Sequence, residues 1–199
     1  MARDLLTCRT FLAASLTDGF SAAVSLLLQT MKPKVDGIKW VDPAHIHATL
    51  HFFGPTAPEE LVTIADCVSR VTQASSPFEI GLGEVGYFPG PSTPRVIWVG
   101  LTGAIVELQA LREKIEDKLR NAGFGCETRP FHPHVTLGRI GTGRKVSIPK
   151  DWEKTGALSV TGKITQKIDR IILYRSDLTP SGPHYENLKT FLLSEKPRS

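Results

Sequence analysis

The 199-residue chain carries 24 Lys and Arg against 20 Asp and Glu, a formal net charge of +4, with 41% hydrophobic and 22% charged residues. Those proportions exclude a disordered chain, a collagen repeat and a disulfide scaffold, and a chain of this length buries a sufficient core without staples. The small basic excess favours an anionic partner only mildly. The longest apolar-biased stretch, Ala22 to Leu28, is too short to span a bilayer, and Asp4 and Arg9 interrupt what would be the apolar centre of a signal peptide. Cys8, Cys67 and Cys126 form no Cys-x-x-Cys pair. The expectation is a soluble, cytoplasmic, monomeric protein with reduced thiols, one domain over residues 1–199, without membrane association.

In chain order, Arg9 to Leu16 reads as a strand, and Asp18 as the N-cap of a helix over 19–31. Strands follow at 39–41 and 46–53, separated by the turn residues Asp42-Pro43. From Pro58, the spacing of Leu61, Ile64, Ala65, Val68 and Val71 predicts a helix that ends near Ser75-Ser76-Pro77. Strands at 78–87 and 95–101 flank a Pro- and Gly-rich loop. Ile105, Leu108, Leu111, Ile115, Leu119 and Ala122 then mark a long amphipathic helix, with Glu116 and Arg120 as an i,i+4 pair on its wet face and Gly123 as its stop. Further strands are read at 134–140, 158–164, 168–174 and 185–193, and His184 as a solvated turn. Short strands dominate, so the fold class is α+β with antiparallel sheets rather than doubly wound.

Two octads carry the functional information. His47-Ala48-Thr49-Leu50-His51-Phe52-Phe53-Gly54 and His134-Val135-Thr136-Leu137-Gly138-Arg139-Ile140-Gly141 match as His-x-Thr-Leu-x-x-x-Gly, which points to two related halves. Strand alternation puts His47 and Thr49 on one face and Ala48 and Leu50 on the other, with His134 and Thr136 opposed to Val135 and Leu137 in the same way. Packed about a pseudo-twofold axis, the halves present two imidazoles and two hydroxyls to one cleft.

That set suits in-line displacement at phosphorus. A neutral imidazole takes the proton of an attacking water while a protonated one donates to the departing oxygen, and histidine is the side chain able to do both near neutral pH. The threonine hydroxyls can donate to the non-bridging oxygens as charge builds there. No cofactor or metal is required, because Arg139 or the loop beyond it can neutralise the single charge of a phosphodiester.

At these residues the sequence resembles the two-histidine (2H) phosphoesterases, and within them the RNA 2′,3′-cyclic phosphodiesterases, also described as 2′-5′ RNA ligase-like (LigT-like). The resemblance extends over Arg9-Thr10-Phe11-Leu12-Ala13, Lys39-Trp40-Val41, Phe88-Pro89 with Pro94 to Trp98, Arg129 to Arg139, and Leu173 to Ser176 through Gly182-Pro183. It implies a bilobal, pseudo-twofold arrangement of two antiparallel sheets with helices outside and the motifs lining a central groove. It also implies hydrolysis of a terminal 2′,3′-cyclic phosphate, on an RNA end or a small nucleotide, to a 2′-phosphomonoester, with 2′-5′ ligation as the formal reverse. The family pattern maps the proton donor to His47, the proton acceptor to His134, the phosphate-holding hydroxyls to Thr49 and Thr136, and a phosphate-contacting arginine to Arg139. His51 departs from it, standing where many relatives carry a long side chain.

Two other readings remain open. His45, His47 and His51 share strand parity, as do His132 and His134, and alternating histidines can ligate zinc in a metal-dependent phosphohydrolase, although no carboxylate lies at ligand spacing. The groove can equally belong to a non-catalytic module that binds RNA ends. His45 and His132 are read as strand-entry residues that orient the catalytic imidazoles. The run from Gly138 through Gly143 to Arg144 and Lys145 mimics a P-loop but lacks Lys directly after the second Gly, so it is read as a mobile basic loop that contacts RNA backbone. Phe11, Phe52, Phe131 and Tyr174 are candidates to stack a terminal base. Apart from Cys8 beside Arg9, which is thin evidence, nothing in the sequence argues for a thiolate nucleophile.

Overall fold

The computed structural model describes residues 7–149, 152, 164–179 and 182–194. Among the described residues, nine strands and three α-helices follow in the order β1 (Cys8–Ser15), α1 (Asp18–Met31), β2 (Ile38–Trp40), β3 (His47–Thr56), α2 (Pro58–Thr72), β4 (Phe78–Phe88), β5 (Val96–Gly103), α3 (Ile105–Asn121), β6 (His134–Ile140), β7 (Thr165–Ile168), β8 (Arg170–Thr179) and β9 (Gly182–Leu192). Single 3₁₀ turns at Lys32–Lys34 and Pro43–His45 lead into β2 and β3. The α+β reading holds: a four-stranded sheet in the order β3-β1-β8-β9 and a five-stranded sheet in the order β2-β6-β5-β4-β7, with every pairing antiparallel.

β1 lies between β3 and β8, and its run Phe11-Leu12-Ala13-Ala14 is buried throughout, as an interior strand covered on both faces requires. Each helix turns one stripe into the core. Phe20, Val24, Leu27 and Leu28 of α1, Ile64 and Val68 of α2, and Leu108, Ile115 and Leu119 of α3 are all inaccessible to solvent. Burying each such side chain stabilises the fold by about 1.5–3 kcal/mol. Gln166 of β7 ties the five-stranded sheet to the end of β1: its amide nitrogen donates to the Ser15 carbonyl at 2.8 Å, and its oxygen accepts from the Thr17 backbone N–H at 2.7 Å. Ser15 is the register partner of His47, so this link reaches the first tetrad.

Several expectations are corrected. Thr17 flanks α1, and Asp18 opens its first turn rather than capping it. The single strand read over 168–174 is two strands in different sheets. β7 pairs with β4, the chain crosses at Asp169, and β8 pairs with β1. His184 is exposed but lies in β9 opposite Asp177, not in a turn. Of the strand read at 158–164, all but Ile164 lies outside the described residues. Glu116 is not on a wet face: it is 5% exposed, paired inward with Arg112, while Arg120 pairs with Asp117.

Candidate active site

Both tetrads sit on strands whose first residue is the histidine, and both strands slip register at the same place. Opposite β1, Leu12 pairs with His51 and Ala13 with Thr49, which leaves Leu50 as the extra residue of a bulge. Opposite β5, Ile97 pairs with Gly138 and Trp98 with Thr136, which leaves Leu137. A bulge reverses the alternation beyond it. Simple parity puts His51 beside His47 and Thr49, but the bulge turns it inward, where it is 6% exposed. The next residue of each strand returns to the open face: Phe52, 67% exposed, in the first half and Arg139 in the second. The halves are thus alike in His, Thr and bulge but differ at the position that follows. At Gly138 a Cβ would fall 2.7 Å from Ile38 Cγ2, so the second half has no room for a counterpart of the His51 side chain.

The imidazoles are oriented identically. His47 Nδ1 lies 2.9 Å from the carbonyl of His45, and His134 Nδ1 lies 2.6 Å from the carbonyl of His132. Carbonyls only accept, so each Nδ1 carries the donated proton and each Nε2 is left to exchange one. The strand-entry histidines do orient the imidazoles, through backbone rather than side chain. The 3₁₀ turn that places the His45 carbonyl is closed by Asp42, whose carboxylate accepts from the Ala44 N–H at 2.9 Å.

Aromatic rings wall both histidines. Phe11 lies 4.7 Å from His47 between ring centroids, and Tyr185 meets His47 edge-on at 5.3 Å. Phe88 meets His134 edge-on at 5.1 Å, with Trp98 at 5.9 Å. Trp98 lies flat across Gly86, where any Cβ would fall 2.2 Å from the indole, so only glycine permits that wall. Burial is the main cause that lowers the pKa of His47, to about 4, with Arg139, His134 and His45 adding repulsion. His134 is lowered for the same leading reason, and again by Arg139. Arg139 therefore bears on both imidazoles, and His134 bears on His47. In the free protein both rings are held neutral near pH 7.

Of the aromatic candidates, Phe11 is buried beneath His47, Tyr174 stacks on Phe11 at 5.1 Å, and Phe131 lies under the Arg112 guanidinium. Only Phe52 is freely open. No local pattern in the sequence singles out Tyr185, Phe88 and Trp98 as walls, because none places β9, β4 and β5 beside the tetrads. Cys67 and Cys126 have raised pKa values, through burial first, which agrees with inert thiols. Among the described residues no three His, Cys, Asp or Glu side chains converge to hold a metal ion, and His51 is removed from the expected histidine trio by the bulge. No helix among the described residues is long and apolar enough to cross a membrane.

The sequence over residues 21–177 matches the family model of the 2′-5′ RNA ligase superfamily. The chain belongs to that superfamily. Among superfamily members, one from Methanothermobacter thermautotrophicus is 32% identical over 93% of this chain and 98% of its own, and one from Archaeoglobus fulgidus is 34% identical over 92% and 99%. Both are named RNA 2′,3′-cyclic phosphodiesterase, a hydrolase. A crystal structure from Thermus thermophilus shares the superfamily fold with a TM-score of 0.75 at 27% identity over 93% of this chain and 97% of its own. Escherichia coli LigT complexed with 3′-AMP does so with a TM-score of 0.75 at 22% identity over 95% and 99%. The fold expected from the resemblance is therefore the fold observed.

Proposed function

We propose that the protein is an RNA 2′,3′-cyclic phosphodiesterase that uses His47 and His134 as an acid–base pair. The observation that carries this reading is the duplicated unit of carbonyl-held imidazole, neighbouring threonine and bulge, whose two imidazoles both feel the charge of Arg139. The names of the relatives, at 32% and 34% identity over most of the chain, support the substrate class.

In this reading water attacks the cyclic phosphorus and gives its proton to Nε2 of His134. The P–O3′ bond breaks, and Nε2 of His47 delivers a proton to O3′, so the product is a 2′-phosphomonoester and a free 3′ hydroxyl. Thr49 and Thr136 donate to the non-bridging oxygens, whose growing charge faces Arg139. His47 is neutral in the free protein, so donation requires the bound phosphodiester to raise its pKa, as an anion beside an imidazole does. Phe52 offers an open ring on which the terminal base can stack. A 5′ hydroxyl in place of water would give a 2′-5′ linkage, but in water hydrolysis dominates.

The test is cleavage of a short RNA ending in a 2′,3′-cyclic phosphate, in EDTA, by wild type, His47→Ala and His134→Ala. Turnover to a 2′-phosphate by wild type alone is expected. Recovery only on adding zinc would replace this mechanism with a metal-dependent one, and tight binding without turnover under either condition would make the protein an RNA-end-binding module.

A further inference from the structure

We propose that a basic depression beside the second tetrad is a subsite for the 5′-phosphate of the terminal nucleotide, the phosphodiester that joins a cyclic end to the rest of an RNA. The inference rests on the acid–base reading of His47 and His134. The depression, of about 430 Å³, is lined by Gly37, Ile38, Lys39, Arg139, Gly141 and Arg144. Its wall holds three cations and no carboxylate. Lys39 and Arg139 stand directly opposite each other across the β2–β6 ladder, a like-charge placement that costs stability in a sheet unless an anion relieves it. Among the described residues neither one, nor Arg144, has an acidic partner, whereas several other arginines are paired, among them Arg70 with Asp66, Arg129 with Glu127 and Arg170 with Asp169. Asp36, next to Gly37, is exposed and is not part of the wall.

The turn that presents Arg144 is anchored. Arg95 Nη1 donates to the carbonyls of Gly141 at 3.0 Å and Arg144 at 3.5 Å, and the Arg144 N–H closes the turn on the Gly141 carbonyl at 3.2 Å. The loop read as mobile is thus bonded to Arg95 at Gly141 and Arg144. Gly37 has φ +83, which a side chain tolerates poorly, and a Cβ there would lie 3.4 Å from Arg144 Nη1.

Arg139 belongs to both regions. Its repulsion reaches both catalytic imidazoles, and its side chain lines the depression. A cyclic phosphate between the histidines therefore has its nearest neighbour along the strand, the 5′-phosphate, within reach of the depression's cations. The difference between the halves then gives the groove a direction: Phe52 takes the base, and Arg139 with Lys39 and Arg144 takes the backbone. Planar guanidinium donors fit a phosphate edge in pairs.

The experiment compares kcat/KM for three compounds: adenosine 2′,3′-cyclic phosphate, the same nucleotide bearing a 5′-phosphate, and an adenosine dinucleotide with a cyclic end. Wild type should prefer both 5′-substituted compounds by about 10- to 100-fold, the scale of one or two charged hydrogen bonds. In the Lys39→Gln/Arg144→Gln double variant that ratio should fall to within about three-fold of one, with a shallower salt dependence of dinucleotide turnover. Both residues are exposed, so folding is retained, and circular dichroism checks it. A wild-type ratio of one, or a ratio the double variant leaves unchanged, overturns the subsite while leaving the acid–base reading intact. A preference for the 5′-monoester but not the dinucleotide overturns its assignment to RNA backbone. Failure of folded wild type to turn over any of the three overturns the acid–base reading, and the subsite with it.

Discussion

Arg112 Nε donates to the carbonyl of Leu50 at 3.1 Å, so a buried guanidinium on α3 holds the extra residue of the first tetrad's bulge. The same guanidinium is ion-paired with Glu116 and lies 4.6 Å over the ring of Phe131, on the segment that enters the second tetrad. His51 Nδ1 lies 3.4 Å from the same Glu116 oxygen. The bulge that turns His51 inward is thus stabilised by a buried Arg112–Glu116 ion pair, to which the His51 ring adds a hydrogen bond.

Removing one member of that cluster leaves an uncompensated buried charge. Arg112→Met should destabilise the fold by about 3–5 kcal/mol in urea unfolding, and Arg112→Met with Glu116→Leu should recover at least half of the loss. A double variant no more stable than the single one would show that packing against Phe131, not charge, sets the cost.

His47→Ala and His134→Ala should each lower kcat by about 10²–10⁴, the scale of a positioned acid or base. Together they should cost clearly less than the product of the two, since a paired mechanism is already lost with either. Fully multiplicative losses would separate their roles.

Arg139 repels a proton from both imidazoles. Arg139→Gln should therefore raise the pKa of His47 above its value of about 4, and raise that of His134, when the free protein is titrated by proton NMR. Unchanged titrations would place the guanidinium outside the cleft. In kinetics, the limb that reports the proton donor should lie at higher pH in kcat than in kcat/KM, because the bound phosphate anion favours protonated His47 and kcat reports the complex. Coincident limbs would count against His47 as donor.

Burial also couples these rings to stability. The unfolded chain protonates His47 at its ordinary pKa of 6.5, while the folded chain resists until about pH 4. The stabilising contribution is complete above pH 6.5 and is lost as pH falls towards 4, on the order of 3 kcal/mol for His47, with His134 and His51 adding in the same direction. Urea midpoints between pH 7.5 and 4 should fall in wild type and fall less steeply in His47→Asn. Parallel curves would remove His47 from the linkage.

Phe52 is exposed, so Phe52→Ala should change stability by no more than about 0.5 kcal/mol. Stacking is worth about 1–3 kcal/mol per base, so the variant should raise KM for adenosine 2′,3′-cyclic phosphate by about 5- to 100-fold while leaving abasic ribose 2′,3′-cyclic phosphate unaffected. Equal effects on both would deny Phe52 a base.

The sequence alone determined the two tetrads and what they present, because alternation along a strand is local: His47 with Thr49, and His134 with Thr136, share a face in any pleated strand. It also determined the helices, whose stripes Ile64-Val68 and Leu108-Ile115-Leu119 follow a period set by the backbone itself. Only the tertiary structure decided where His51 and Glu116 went. A bulge depends on the strand opposite, so nothing within His47–Gly54 announced that Leu50 would be unpaired. Glu116 has Arg112 four residues before it and Arg120 four after, and an isolated helix slightly favours the acid-first pair with Arg120; Arg112 prevailed because that side of α3 faces the Leu50 carbonyl. The same reason governs the walls of the cleft. Tyr185 and Trp98 reach the two histidines from strands far away in sequence, and the low pKa of His47 comes from that burial rather than from any residue beside it in the chain.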